Sequence, residues 1–256
     1  MLVKDIGICL GRREYSETSQ IVTIFTRGHG KIRGIAKGAR RARSKFGGGI
    51  EPLSRGQLIF SPGRGGGLVT LTEWRAQENH LGLRGDLRQL YRGYYLAELV
   101  DSFTEELDRH EQLYDFFCQT LGDLSSGGGW TEFLGFQVRL LEEVGLSPEL
   151  WHCVHCGTNS AGRAAGYMSF SEGGILCRGC GRGGSEKERI EPAGLEIVRQ
   201  FSRHAVRKRA KEPRYEQAEP RGTALEDGDA RQAQKLLEYW IRAALNREPK
   251  TAHLLR

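Results

Sequence analysis

No run of apolar residues in this 256-residue chain approaches the roughly 20 needed to cross a bilayer as a helix. The sequence therefore predicts no membrane role. The opening Met1-Leu-Val-Lys-Asp-Ile lacks the basic and then apolar plan of a secretory signal. A reducing, cytoplasmic setting is the expectation. Enzyme signatures are missing as well. Gly63-Arg-Gly-Gly-Gly is not followed by Gly-Lys-Ser/Thr, so it is no NTPase phosphate loop. There is no His-Glu-x-x-His, nor the His-x-Glu with Pro-Cys-x-x-Cys of nucleobase deaminases. The paired carboxylates Glu105-Glu106 and Glu142-Glu143 lie on helical stretches, where a solvated face accounts for them. No internal repeat is present. The chain reads as non-catalytic.

Acidic residues are absent from one notable place. Between Arg27 and Lys45 there are eight basic residues and no acidic one. Residues 1–80 hold fourteen Lys/Arg against six Asp/Glu, residues 81–150 five against thirteen, and residues 151–256 nineteen against thirteen. Balances of +8, −8 and +6 suggest sections with different partners, a polyanion for the first. The densest part, Lys37-Gly-Ala-Arg-Arg-Ala-Arg-Ser-Lys, has no helical period and reads as a loop. Small residues let a backbone approach phosphates, and the cations displace condensed counterions. Lys31, Arg33, Lys37, Arg40, Arg41, Arg43 and Lys45 are the candidate nucleic-acid contacts. The alternatives are a solvated surface loop and an import signal, and Arg203–Lys211 is a second basic stretch. Phe60 and Trp74 are expected in a core, while Phe46 is a candidate for base stacking.

Six cysteines are few, and four of them are patterned. Cys153 and Cys156 form one Cys-x-x-Cys pair, Cys177 and Cys180 a second, with twenty residues between and a glycine after each pair. Two such knuckles supply four soft ligands in tetrahedral array, which suits one structural Zn²⁺. Two disulfides or metal-free thiols are the competing readings. His152 and His155 read as bystanders, because four cysteines fill a structural site. Cys9 and Cys118 read as buried free thiols.

The first eighty residues carry five short strands: near Val3–Leu10, Gln20–Thr26, Lys31–Ala36, Gln57–Phe60 and Leu68–Trp74. A small closed barrel solves the edge problem for such a sheet. The five-stranded OB-fold is the economical candidate and an SH3-like barrel the runner-up. From residue 86 the period becomes helical. Leu96, Leu99, Val100, Phe103 and Leu107 form one repeat. Others run through 113–121, 133–144, 194–209 and 236–245. Gly145 and Pro148 end the third helix. Residues 210–230, polar and proline-marked, read as a linker. The expected fold class is α+β and multidomain: an OB-fold barrel over 1–80, a helical bundle over 81–149 and 191–256, and an inserted four-cysteine zinc module over 150–190.

The run Ser16-Glu-Thr-Ser-Gln-Ile-Val-Thr-Ile-Phe-Thr-Arg-Gly-His-Gly-Lys-Ile-Arg-Gly-Ile-Ala-Lys-Gly-Ala-Arg-Arg resembles the N-terminal signature of the bacterial RecO family. Phe46-Gly-Gly-Gly-Ile-Glu-Pro-Leu, Leu68-Val-Thr-Leu-Thr-Glu, the cysteine pairs and Leu236-Leu-Glu-Tyr-Trp-Ile-Arg continue the likeness in order. The resemblance implies a cytoplasmic, nucleoid-associated DNA-repair protein that binds single- and double-stranded DNA and anneals complementary strands. It implies work with RecR to load RecA onto DNA coated by single-strand-binding protein, and binding of that protein's acidic tail. By the same resemblance Lys37, Arg40 and Arg41 match the basic DNA-binding run, and the four cysteines match the metal ligands. A groove in the helical region, with Arg92 and Arg139 as charge anchors, is the expected seat of the tail. The competing class is a zinc-ribbon adaptor using the same barrel on RNA.

Overall fold

The computed structural model describes residues 2–41, 43–62, 67–160, 165–183, 186–209 and 225–255. They group into two compact units, one of residues 1–128 with 249–256 and the other of 129–248.

The first unit is built on a closed barrel of β1 (Val3–Glu14), β2 (Gln20–Thr26), β3 (Gly30–Ala36), β4 (Arg55–Ser61) and β5 (Val69–Glu78), in the order β1-β2-β3-β5-β4. β1 closes it by being long. Its first half pairs with β4, from Val3 opposite Phe60 to Ile8 opposite Arg55, and its second half with β2, from Gly7 opposite Thr26 to Glu14 opposite Gln20. A bulge between Cys9 and Gly11 marks the changeover. β3 and β5 pair in parallel, giving the OB-fold and excluding the SH3-like alternative. Alternate residues fill the interior: Val22, Ile24, Ile32, Ala36, Leu58, Phe60, Val69, Leu71 and Trp74 are all buried. Phe46 belongs to this core too. It is therefore no stacking surface, because the loop folds it under the barrel mouth. Cys9 is buried and free, and burial raises its thiol to about 12. Cys118 is free and half-buried.

The first unit also holds α1 (Leu81–Gly85), α2 (Leu87–Phe103) and α3 (Glu111–Ser125). The expected period ran through Leu107, but α2 stops at Phe103. Thr104 turns its N–H and its hydroxyl onto the Val100 carbonyl, 3.2 and 2.7 Å away. Leu107 is 64% exposed, at φ 63°, and its N–H bonds to the Lys31 carbonyl at 2.9 Å. Apolar spacing continued past a cap that ends the helix.

The C-terminal segment is fastened to α2 by one carboxylate. Glu98 accepts from the backbone N–H groups of Lys250 and Thr251 and from the Thr251 hydroxyl, each at 2.7 Å. It thereby caps the short 3₁₀ turn Ala252–Leu255. Glu98→Ala is expected to lower unfolding stability by about 2 kcal/mol, the scale of hydrogen bonds to a charged group. Amide exchange at Lys250 and Thr251 should quicken with it. Unchanged exchange there would remove this role from Glu98.

The second unit contains α4 (Trp130–Glu143), α5 (Pro192–Arg209) and α6 (Asp227–Leu245), with the four-cysteine segment between α4 and α5 in sequence. Gly145, at φ 73°, ends α4 as expected, with the Leu146 N–H returning to the Leu141 carbonyl at 2.7 Å. α6 starts earlier than the expected linker allows. Asp227 and Asp229 favour its positive N-terminal end, and Ala230 is already buried. Residues 210–224 lie outside the described residues. Gln137 donates to Gln234 at 2.8 Å to join α4 and α6. A three-stranded sheet of β6 (Ala165–Ser169), β7 (Gly174–Cys177) and β8 (Glu188–Arg189) ends one strand on Cys177, and the other three cysteines lie outside its strands. No described helix is long and apolar enough to cross a membrane.

Candidate nucleic-acid interface and metal centre

The basic segment divides in two. Its first part is neutralised from within the unit. Arg27 makes a bidentate pair with Asp115, 2.8 and 2.9 Å, and also meets Glu111 at 2.5 Å. Arg33 faces Glu106 at 3.7 Å, a surface pair as open as that of Arg40 and Glu14. Lys31 is only 8% exposed. Its ammonium donates to the Asp101 carbonyl, in the last turn of α2, and pairs with the Asp101 carboxylate at 3.1 Å. A cation there satisfies a carbonyl that the helix end leaves open. Four of the thirteen acidic residues of 81–150 thus answer barrel cations, so part of the charge asymmetry is cancelled within one unit.

The second part is free. Lys37, Arg41, Arg43 and Lys45 are exposed and form no ion pair among the described residues. Arg40 meets Glu14 at 2.9 Å on the open surface, a contact weak enough to exchange for a phosphate. The loop from 37 to 49 is nonetheless fixed. Arg40 N–H bonds the Thr18 carbonyl at 3.0 Å, and Gly38 N–H bonds the Ser19 hydroxyl at 3.2 Å. The Ser44 hydroxyl donates to the Ala39 carbonyl at 2.7 Å and accepts from Phe46 and Gly48 N–H groups at 3.4 Å. The Trp74 N–H ties Lys45 to β5 at 3.0 Å. Beside the loop lies an open groove of about 820 Å³, lined by Lys45, Gly47, Glu51, Glu73, Arg75 and Arg84 among others. Four unpaired cations on a hydrogen-bonded loop, at the mouth of an OB-fold, can track a phosphate backbone without first ordering themselves.

In the second unit the ligand atoms of Cys153, Cys156, Cys177 and Cys180 all lie within 4.8 Å of one another. The Cys156 and Cys177 sulfurs are 3.9 Å apart. A tetrahedron with 2.3 Å metal–sulfur arms has edges of about 3.8 Å, so the donors suit one four-coordinate ion. Each pair is a knuckle closed by its glycine: Gly157 N–H bonds the Cys153 carbonyl at 2.8 Å, and Gly181 N–H bonds the Cys177 carbonyl at 2.9 Å. The two glycines are needed for different reasons. Gly157 sits at φ 70°, the conformation expected of the turn. At Gly181 a Cβ would run into the Tyr167 ring. Cys180 N–H points at the Cys177 sulfur, 3.4 Å away. Hydrogen bonds from Thr158 bring the Cys156 thiol down to about 6, while the neighbouring Cys177 sulfur drives Cys180 up to about 12. Without a cation, four sulfurs this close cannot all be thiolates. His152 and His155 are exposed and stand outside the cluster. Arg199 holds the first knuckle's strand of chain against α5. It is 5% exposed, donates to the Leu150 carbonyl at 2.8 Å and the Ser160 hydroxyl at 2.5 Å, and lies 5.0 Å over the Trp151 ring.

Family models match nearly the whole chain. Recombination protein O N terminal covers residues 1–80, and Recombination protein O C terminal covers residues 84–253. The chain belongs to the RecO family. Three relatives named DNA repair protein RecO agree. That of Alkaliphilus metalliredigens is 36% identical over 182 residues, 70% of this chain and 72% of the relative. That of Bacillus subtilis is 33% identical over 203 residues, 78% of this chain and 77% of the relative. That of Moorella thermoacetica is 33% identical over 198 residues, 77% of this chain and 73% of the relative.

The RecO-family match spans both candidate sites, and the structure sorts their residues. It brings Lys37, Arg40, Arg41, Arg43 and Lys45 onto one loop, sets Arg33 beside Glu106, and turns Lys31 inward. It gathers all four cysteines. Arg139 is engaged by Glu142 at 3.9 Å and Glu143 at 3.7 Å, and Arg92 reaches Gln89 at 3.4 Å. The side chains of 203–211 lie outside the described residues. Two residues escaped the sequence reading. Arg199 was one cation among many on a helix. Tyr15 has an exposed ring at the β1–β2 hairpin tip, where a turn-rich segment gave no sign that an aromatic would be left in solvent.

Proposed function

We propose that this chain acts in DNA repair and recombination as a mediator that binds single- and double-stranded DNA and anneals complementary strands. With RecR it helps load RecA onto single-stranded DNA coated by single-strand-binding protein, and it contacts that protein's acidic tail. It works at the bacterial nucleoid, in the cytoplasm. The observation that carries the DNA contact is the loop 37–45, whose cations other than Arg40 meet no acidic partner among the described residues, while Arg27 and Lys31 are neutralised within the unit. Lys37, Arg40, Arg41, Arg43 and Lys45 hold phosphates. Lys31 serves the fold. Contacts to phosphates carry no base information, so binding through this loop is independent of base sequence.

Cys153, Cys156, Cys177 and Cys180 hold one Zn²⁺, which supplies structure. Four thiolates close the coordination shell, leaving no position for a reacting water. The reading contains no catalytic step. It rests on RecO-family membership, the OB-fold and the charge distribution together.

The test is annealing of two labelled complementary strands, naked and with one strand coated by single-strand-binding protein. Annealing on both substrates well above the spontaneous rate is expected. No acceleration, or tighter binding to RNA than to DNA of the same sequence, would replace this reading with the RNA-adaptor one.

A further inference from the structure

We infer that Tyr15 is a stacking platform for one unpaired base, and that it adds affinity for single-stranded DNA that duplex DNA does not receive. The inference rests on the DNA reading of loop 37–45. Tyr15 is 63% exposed, and the other large exposed apolar side chains among the described residues are all leucines. The remaining barrel aromatics Phe25, Phe46, Phe60 and Trp74 are buried, so this ring has no part in the core.

Its backbone is held in place. Tyr15 N–H bonds the Ser19 carbonyl at 2.9 Å, closing the hairpin tip, and the Ser19 N–H returns to the Ser16 hydroxyl at 3.2 Å. The same tip is joined to the basic loop three times. Arg40 N–H meets the Thr18 carbonyl, Gly38 N–H meets the Ser19 hydroxyl, and the Arg40 guanidinium meets Glu14. The backbone that carries the ring is therefore tied to the loop that bears the cations. The connection between the first two strands is also one of the loops by which OB-folds take oligonucleotides.

The chemistry separates the two forms of DNA. Phosphates are present in both, so Lys37, Arg41 and Arg43 attract both. A free base face is present only in the single strand, and any base offers one. A ring beside a cationic loop adds affinity for unpaired DNA alone, without reading sequence.

The experiment compares wild type with Tyr15→Ala, Tyr15→Phe and Tyr15→Leu on a single strand, on a duplex of equal length, and on a single strand with abasic sites at its centre. The ring is exposed, so each variant should fold with an unchanged melting profile. Tyr15→Ala is expected to weaken single-strand binding about ten-fold, the scale of one lost stack. Duplex affinity and the salt slope should not move. Phe should retain affinity, while Leu, apolar but without a π face, should behave as Ala. The abasic strand should bind wild type and Tyr15→Ala alike, which shows that ring and base act as a pair. Equal loss on single strand and duplex, no loss on either, or loss in the Phe variant would overturn the inference. If charge reversal in the loop also fails to weaken DNA binding, the DNA reading itself falls. If reversal acts and Tyr15→Ala does not, only the stacking falls.

Discussion

Reversing Lys37, Arg41 and Arg43 to glutamate is expected to weaken binding to single-stranded DNA about a hundred-fold near 0.1 M salt. Each phosphate contact on a single strand contributes a slope of about −0.7 to the plot of log affinity against log salt. Three contacts together are then worth about two decades at that salt, and their loss flattens the slope by about 2. These three are chosen over Arg40 because reversing Arg40 would set two carboxylates against each other at Glu14. Arg33→Glu is the control: it disturbs a pair with Glu106 and should change affinity far less. Filter binding or fluorescence anisotropy across a salt series measures both quantities. Unchanged affinity and slope would move the DNA site away from the loop.

Cys177→Ser should produce the largest structural loss. Wild type is expected to carry one zinc per chain by elemental analysis, and the variant well under that. Structural zinc contributes as much as about 10–16 kcal/mol of apparent binding energy in small zinc-dependent peptides, which sets the upper scale for the module. Residues 150–190 should become open to proteases. The barrel lies in the other compact unit, so its DNA affinity should persist. Gly181→Ala offers a second check, because it replaces no ligand. By driving a methyl into Tyr167 it should displace the second knuckle and lower zinc content in the same direction. Full zinc content and protease resistance in Cys177→Ser would show that the four sulfurs are not the ligand set.

What could be read in the sequence was local. The cysteine pairs were legible because a knuckle is fixed within five residues. The barrel strands were legible because alternation states which face is inside. β2 falls at the predicted residues, and β1 runs four residues beyond its predicted end, since nothing in composition marks a strand that pairs on both edges. Long-range partners were not legible. Lys31 and Lys37 look alike in a basic run, and only the approach of Asp101 separates the structural cation from the free one. Phe46 sat beside the basic run and looked exposed, but the glycines after it let the loop tuck it under. Leu107 kept the helical period after Thr104 had already ended the helix.

The contrast between the paired cations of β3 and the bare loop after it also gives the first unit an uneven field. Six steps of strand separate the cancelled end at Lys31 from the bare loop, a span of about 20 Å. That is about two screening lengths near 0.1 M salt, so the carboxylates at the cancelled end barely dim the field of the loop. On the proposed DNA contact, a strand drifting past would exert a torque and turn the loop forward before the two touch. Productive encounters then occupy a larger share of collisions, and added salt slows arrival as well as loosening the hold.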